Sequence, residues 1–352
     1  MRILFDAYWW VRGPSSNRHV QREIVRHWVE AFPEDEAVLV LRRSDAAVAD
    51  LPPGTLAVTT PLWPHGVASI LHYPHLARRA GADVVVAHNF TPWSGRRAVF
   101  VHDVLFQTNP SWFTRTERIY YSLIPRLLPR ADVVATSTHH EAERIARCNP
   151  RLRGPVHPVG LAVRTGLLEV TPTRPDVVED GEPFILSVGR LNVRKNLGRT
   201  FDAALVSGTI DAHRPLVVVG EPEGVRTEVE PDVRRAIASG AIRLAGRVDD
   251  SELAWLYAHA ERFVFLSLDE GFGLPPLEAL AFGCPVLASD IPVLRETLGD
   301  RVRYVDPLDR RAIAAALTGE VPRVDPGPLP TWAETVQRLR SAVLASLPPQ
   351  LA

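Results

Sequence analysis

Lysine is almost missing from this chain. Of its 40 basic residues, 39 are arginine and one, Lys195, is lysine. A genome whose base composition erodes lysine wherever arginine serves as well explains the bias, and it singles out the one position where arginine did not replace it. Cysteine is also scarce. Cys148 and Cys284 are far apart and show no CxxC spacing, which excludes a disulfide framework and a zinc knuckle and fits a reducing, cytoplasmic compartment. No run of about 18 apolar residues occurs, so no membrane-spanning helix is expected. The first ten residues, MRILFDAYWW, lack the pattern of a secretory signal. Neither sign of charge is in excess. The formal net charge is -1, so no global positive field draws the chain to nucleic acid, and no nucleic-acid partner is expected.

What is present is an ordinary globular composition, 46% hydrophobic and 23% charged, spread over 352 residues. That length is too great for one core of usual size and argues for two domains. Apolar runs at 3–5, 37–41, 56–59, 83–88, 98–103 and 132–137 read as short strands covered on both faces. A helix is expected over about 17–32, with Val20, Ile24, Trp28 and Phe32 as its buried stripe, and another over about 116–128. The second half repeats the alternation, with strands at 184–189, 215–220, 242–246, 262–267, 285–289 and 301–306. Its helices fall near 197–206, 251–259, 276–282 and 310–317, and a last amphipathic helix lies in PTWAETVQRLRSAVLAS. Between the halves, 170–183 is rich in proline and acid, a linker composition. The fold class is therefore α/β: two doubly wound parallel-sheet, Rossmann-like domains, 1–169 and 184–328, facing a central cleft. In such sheets ligands bind beyond the carboxyl ends of the strands.

Two stretches carry candidate chemistry. In SVGRLNVRKN, Arg190 and Lys195 lie on a strand-to-helix loop at that ligand edge. An anion there meets two cations and a helix N-terminus, and a diphosphate suits the arrangement. Lysine offers a compact point charge where a planar guanidinium is too wide. An ordinary surface loop with solvated charges is the alternative. In SLDEGFGLPPLEALAFG, Glu270 precedes two glycines and Glu278 falls in the first turn of the following helix. Both carboxylates can address one ligand, and a carboxylate that accepts from vicinal hydroxyls anchors a sugar or a ribose well. A loop acid plus a helix-capping acid would read the same way.

EGFGLPPLE, together with GRLNVRKN about 75 residues earlier, resembles the retaining nucleotide-sugar glycosyltransferases of family 4, which have the GT-B architecture. The stretches 101–145 and 302–317 resemble the bacterial mannosyl- and rhamnosyltransferase branch, and TWAETVQRL resembles the helix that crosses back to the first domain, here 329–352. The resemblance covers nearly the whole chain. It implies that Glu278 binds the donor ribose and that Glu270 contacts the transferred sugar near its third hydroxyl. The backbone of Gly271, Phe272 and Gly273 then lines the sugar, and Arg190 and Lys195 hold the diphosphate. His102 sits beside the sugar on the first domain, with Asp103 as a neighbour. Without the resemblance, His102 reads as a strand-end histidine. The base is expected near 245–250, through backbone groups around Arg247 and Val248.

Two departures stand out. The first loop reads RGPSSNRHV, so Gly13 remains but a second glycine does not; Gly13 can still pack near the phosphate, while Ser15 and Ser16 either meet acceptor or phosphate or start the helix. The interdomain loop reads HPVGLAV, keeping Gly160 but not the flanking Asn and Asp of the family. No Asp-x-Asp pair occurs, so the expected chemistry is metal-free and needs no cofactor, with Lys195 and Arg190 stabilising the departing nucleoside diphosphate. Partners are a nucleotide-sugar donor, GDP-mannose ahead of dTDP-rhamnose and UDP-hexoses, and a glycan, lipid-linked or small-molecule acceptor. Trp9 and Trp10 either stack on that acceptor or pack in the core. Residues 112–130 mix arginines with tyrosines and leucines and are a candidate for peripheral membrane contact. A nucleotide-sugar epimerase, a phosphorylase carrying pyridoxal phosphate on Lys195, and a non-catalytic partner protein of the same fold are the rival readings.

Overall fold

The computed structural model describes residues 1–221 and 230–347. The chain divides into two compact units. Unit 1 comprises 1–110, 115–162 and the segment from Pro330 onward; unit 2 comprises 111–114 and 163–329.

Unit 1 is built on seven parallel strands: β1 (Arg2–Asp6), β2 (Glu36–Arg42), β3 (Leu56–Thr60), β4 (Val84–His88), β5 (Arg97–Phe100), β6 (Val133–Thr136) and β7 (Val156–Pro158). Their order is β3-β2-β1-β4-β5-β6-β7, so the winding reverses beside β1. Continuous apolar strands follow from this layout: Ile3, Leu4, Val85, Val86, Val99 and Phe100 have helices on both sides and are buried. The helix Ser15–Ala31 buries Val20, Ile24 and Trp28, and Trp28 meets Phe5 edge-on at 5.3 Å. The helix Trp332–Ser346 opens with a capping box of Thr331 and Glu334 and buries Trp332, Val336, Leu339 and Val343. Its Arg340 donates to Asp35 at 2.8 Å, so this last helix is part of unit 1. Of the 329–352 segment, 348–352 lie outside the described residues.

Unit 2 carries six parallel strands: β8 (Ile185–Val188), β9 (Leu216–Val219), β10 (Ile242–Gly246), β11 (Arg262–Phe265), β12 (Val286–Ser289) and β13 (Arg303–Val305). The order β10-β9-β8-β11-β12-β13 reverses beside β8, the same plan as in unit 1. Such a reversal opens a crevice at the carboxyl ends of the two strands that flank it.

Several elements differ from the sequence expectations. β5 stops at Phe100, so His102 and Asp103 lie on the segment after it; Asp103 turns the chain there by accepting from the Leu105 N–H at 3.2 Å. The helix expected over 116–128 is two, Arg115–Tyr121 and Leu123–Leu127. Pro125 has no N–H to offer the carbonyl of Tyr121, and the first helix ends at that residue. The chain passes between units at Ala162/Val163, ahead of 170–183. That stretch is held to unit 2 by buried Val178 and by the Arg243–Glu182 ion pair at 2.7 Å. Helices at His139–Cys148, Pro231–Ser239 and Pro292–Leu298, a broken helical run over 65–80, and the short strand β7 had no counterpart in the sequence reading.

Candidate active site

In unit 2 the loops after β8 and β11 are neighbours because the two strands pair, with Phe263 opposite Leu186. The Leu268 N–H donates to the Arg194 carbonyl at 2.9 Å and ties one loop to the other. This brings Lys195 and Glu270 together across 75 residues: Nζ donates to Oε1 at 2.6 Å. Arg194 approaches the other carboxylate oxygen at 3.8 Å. The Lys195 ammonium lies 4.4 Å from the centre of the Phe265 ring. Its stem also runs close to Gly189, where an added Cβ would lie 2.9 Å from Lys195 Cε. Lysine thus runs through a slot lined by a backbone and a ring.

Charges in this cluster shift one another. Burial alone would raise the Glu270 carboxyl, but the Lys195 and Arg194 charges and the hydrogen bond from Lys195 outweigh it and hold the group at about 2. Burial lowers the Lys195 ammonium below its ordinary value; Glu270 opposes the shift, and the Arg194 and Arg190 charges add to it. Arg190 therefore stands within electrostatic reach of Lys195. Lys195, Arg194 and Arg190 cluster at this edge of the sheet, an arrangement that suits an incoming diphosphate.

Glu278 belongs to a second, adjoining cluster. It lies in the helix Leu274–Ala281, whose N-cap is Gly273; the helix begins earlier than the sequence reading placed it, so Glu278 stands past the first turn and not in it. Its Oε1 accepts from Arg164 Nε at 3.0 Å and its Oε2 from the Tyr257 hydroxyl at 3.0 Å. Arg164 also reaches Asp250 at 2.7 Å. Glu278, Arg164 and Tyr257 are all buried. Burial raises the Tyr257 phenol far above its ordinary value, and the neighbouring Glu278 adds to the shift. Gly271, Phe272 and Gly273, the end of the loop after β11, are buried, and Gly273 has φ +92 with Leu294 2.5 Å from where a Cβ would stand. Arg247, exposed, and Val248 follow directly on β10.

Backbone closeness sets this edge. The Gly189 N–H donates to Val219 at 2.9 Å and the Gly220 N–H to Gly246 at 2.7 Å. A Cβ on Gly220, whose φ is +145, would stand 2.0 Å from the Gly189 carbonyl oxygen. Gly220→Ala is expected to cost about 3 kcal/mol or more, from strain at positive φ and a backbone clash that no side chain can relieve. Urea denaturation checks this; an unchanged midpoint would contradict it.

In unit 1 the carboxyl ends of β1, β4 and β5 carry Asp6, His88 and, two residues beyond β5, His102. His88 Nδ1 and His102 Nε2 are 3.2 Å apart. Asp6 is buried and accepts from the Tyr73 hydroxyl at 2.8 Å, His65 Nε2 at 2.7 Å, and the N–H groups of Tyr8 and His88 at 3.1 Å each. Burial would raise its carboxyl, but the charges of His65 and His88 and the hydrogen bonds from His65 and Tyr73 hold it well below the usual carboxylate range. Trp10 is a core residue, fully buried, with its indole N–H on the Asp50 carbonyl at 2.8 Å. Trp9 is partly exposed and packs on Gly13, whose φ is +140 and where a Cβ would stand 2.2 Å from the indole. Gly13 is thus needed by Trp9. Ser15 and Ser16 form the exposed first turn of their helix, which Pro14 precedes without a side-chain cap.

The structure brings Lys195, Arg190 and Glu270 together and gives Glu278 its own partners. It adds residues that sequence reasoning passed over. Arg194 was visible as the neighbour of Lys195. Arg164 and Tyr257 carry no local signal, and Asp6 and His88 read only as ends of apolar runs.

Solved structures share this architecture. Sucrose-phosphate synthase from Thermosynechococcus elongatus superposes with a TM-score of 0.64 at 19% identity, covering 100% of this chain and 96% of its own. The lipopolysaccharide-biosynthesis glycosyltransferase WaaG superposes at 0.62 and 16% identity, covering 98% of each. Two parallel-sheet units of this order define the GT-B fold, which is the class of this protein. Residues 172–318 match the family described as glycosyl transferases group 1. O-antigen chain mannosyltransferase B of Escherichia coli is 37% identical over 133 residues, 38% of this chain and 35% of that protein. O-antigen chain mannosyltransferase RfbU of Salmonella typhimurium is 25% identical over 241 residues, 66% of this chain and 63% of that protein. The chain thus spans less than two thirds of the length of either relative. On these matches the stretch 172–318 is similar to the glycosyl transferases group 1 family, and the chain as a whole has the GT-B fold.

Proposed function

We propose that this protein moves a hexose, with retention of anomeric configuration, from a nucleoside-diphosphate sugar to a hydroxyl of a glycan, glycolipid or natural-product acceptor. The observation that carries the reading is the Lys195–Glu270 pair at 2.6 Å, with Arg194 and Arg190 beside it, in the crevice where the sheet of unit 2 reverses. The cations receive the charge of the departing diphosphate. Glu270 accepts from the sugar hydroxyls, and Glu278, oriented by Arg164 and Tyr257, accepts from the ribose. The departing phosphate takes the acceptor proton, so no covalent nucleophile is assigned. The protein's own cations meet the developing charge, and the reading assigns no role to a metal ion. His102 is assigned to the transferred sugar, and Arg247 and Val248 to the base. The similarity to mannosyltransferases favours mannose, which places GDP-mannose first, ahead of dTDP-rhamnose and UDP-hexoses.

Among the described residues no helix is long and apolar enough to cross a membrane. The helix Arg115–Tyr121 shows Ile119 73% exposed on a turn with Arg115 and Arg118. That mixture supports peripheral contact with a membrane carrying a lipid-linked acceptor.

A thermal-shift screen of nucleoside diphosphates and nucleotide-sugars tests the donor assignment. A true donor at 100 times its Kd stabilises by about 2.7 kcal/mol, and GDP and GDP-mannose are expected to give the largest shifts. If no nucleotide moves the melting temperature, the donor reading fails.

A further inference from the structure

The crevice of unit 1 holds a row of ionisable groups of which the proposed reaction uses only His102. Asp6, His88 and His102 come from three strands that lie side by side, β1, β4 and β5. Asp6 is 1% exposed and His88 3%, while His102 is partly exposed. Only His102 therefore has a ring edge to offer a ligand. Its backbone is fixed by a hydrogen bond to Asn89 Oδ1 at 3.0 Å, and Asn89 itself takes φ +60 to make that bond. The ring of His102 leans on Phe100 edge-on at 5.1 Å and on His88 at 5.3 Å. Of these neighbours, only His88 presents a nitrogen to it.

Burial pushes His88 down to about 4, against the opposing charge of Asp6. Burial also lowers His102 well below its ordinary value, with His88 and His65 adding to the shift. Both rings are neutral at pH 7, so each carries one ring hydrogen. The 3.2 Å contact between them uses one of those hydrogens. If His102 Nε2 donates, its Nδ1 is a bare acceptor; if His88 Nδ1 donates, the hydrogen of His102 sits on Nδ1. The two tautomers are coupled, and the state of one ring determines what the other presents.

We propose that His88 is a positioning residue: held at its backbone by Asp6, it fixes the ring orientation and tautomer of His102, so that Nδ1 of His102 meets a sugar hydroxyl with one defined hydrogen-bonding character. This rests on the reading of His102 as a sugar-facing residue. Asp6 is the anchor of the device. Its four donors, two from side chains and two from backbone, leave it no freedom to turn, and the His88 N–H it accepts sets where that strand end lies.

Three variants of the full chain test the idea, with GDP release from GDP-mannose, water serving as acceptor, as the activity probe. His88→Phe keeps a ring against Phe100 but offers no nitrogen. It is expected to lower kcat about tenfold with KM within about twofold, the loss of one hydrogen bond's orienting effect. His88→Asn returns a donor or acceptor near the Nδ1 position and is expected to restore most of that loss. In spectra of protein labelled with ¹⁵N-histidine, which need no substrate, the His102 nitrogens should move from the shifts of one tautomer in the wild type to an averaged pair in His88→Phe. A role confined to packing would leave those shifts in place. If His102→Ala is inactive while His88→Phe keeps wild-type kcat and unmoved His102 signals, the positioning role is overturned and the reading of His102 stands. If His102→Ala keeps wild-type kcat, that reading falls, and this proposal with it.

Discussion

Lys195→Ala is expected to lower kcat by about 2–4 kcal/mol, roughly 30- to 900-fold, while donor affinity changes far less. The ammonium is assigned to charge that develops on the departing diphosphate, and an interaction made mainly in the transition state appears in kcat rather than in KM. Steady-state kinetics with the best donor from the nucleotide screen measures it, and near-wild-type kcat would remove the assignment. Lys195→Arg is the sharper experiment, and it is expected to fail as well. The slot that Lys195 occupies is lined by Gly189 and the Phe265 ring. A linear stem with a tetrahedral head fits it, but a planar fork does not. The same substitution has a second consequence. Glu270 is held at about 2 against an ordinary 4.5, so in the wild type its ionisation contributes stability that is fully present above pH 4.5 and is lost as pH falls toward 2. Without Lys195 the depression shrinks. Loss of stability in Lys195→Ala on acidification should therefore be shallower than in the wild type, starting from a lower value at neutral pH.

Arg164→Ala is expected to destabilise unit 2 by about 3–5 kcal/mol, because it leaves the buried Glu278 carboxylate without its cation. Arg164 and Glu278 are 6% and 5% exposed, so solvent cannot take over. Urea denaturation reads the first effect, and calorimetric titration with GDP reads the loss of nucleotide binding expected from the proposed ribose contact of Glu278. A paired variant separates the two roles. Arg164→Met with Glu278→Leu replaces the ion pair by apolar groups, which is often neutral for stability. It is expected to recover most of the folding free energy but none of the nucleotide binding. Recovery of both would show that Glu278 does not hold the ribose.

The meeting of Lys195 with Glu270 was readable from the chain, and the reason is topological. Both follow strands in a parallel sheet, and such strands send their loops to one edge whatever the spacing in sequence. The lone lysine and the paired glycines drew attention to these two loops, and the structure shows them in contact. Glu278 was readable as an acid of the helix after the glycine loop, but its partners were not. Arg164 lies 114 positions away and Tyr257 lies 21, and nothing local in either stretch announces the pairing. Asp6 and His88 were hidden for another reason. A polar residue that ends an apolar run is a common strand terminus, and only the order β1-β4-β5 puts these two beside His102. Trp10 went to the core because its indole found a backbone carbonyl inside. The single helix expected over 116–128 gave way at the turn before Pro125, where the missing N–H outweighs an otherwise amphipathic pattern.

Most of unit 1 precedes unit 2 in sequence, yet the helix Trp332–Ser346 that packs on it follows unit 2. Until that helix emerges from the ribosome, the face of Ser15–Ala31 it packs against has no cover. Unit 2, apart from 111–114, is one continuous stretch and can close while synthesis continues. Unit 1 therefore cannot complete its helix packing until the residues that follow unit 2 have been made.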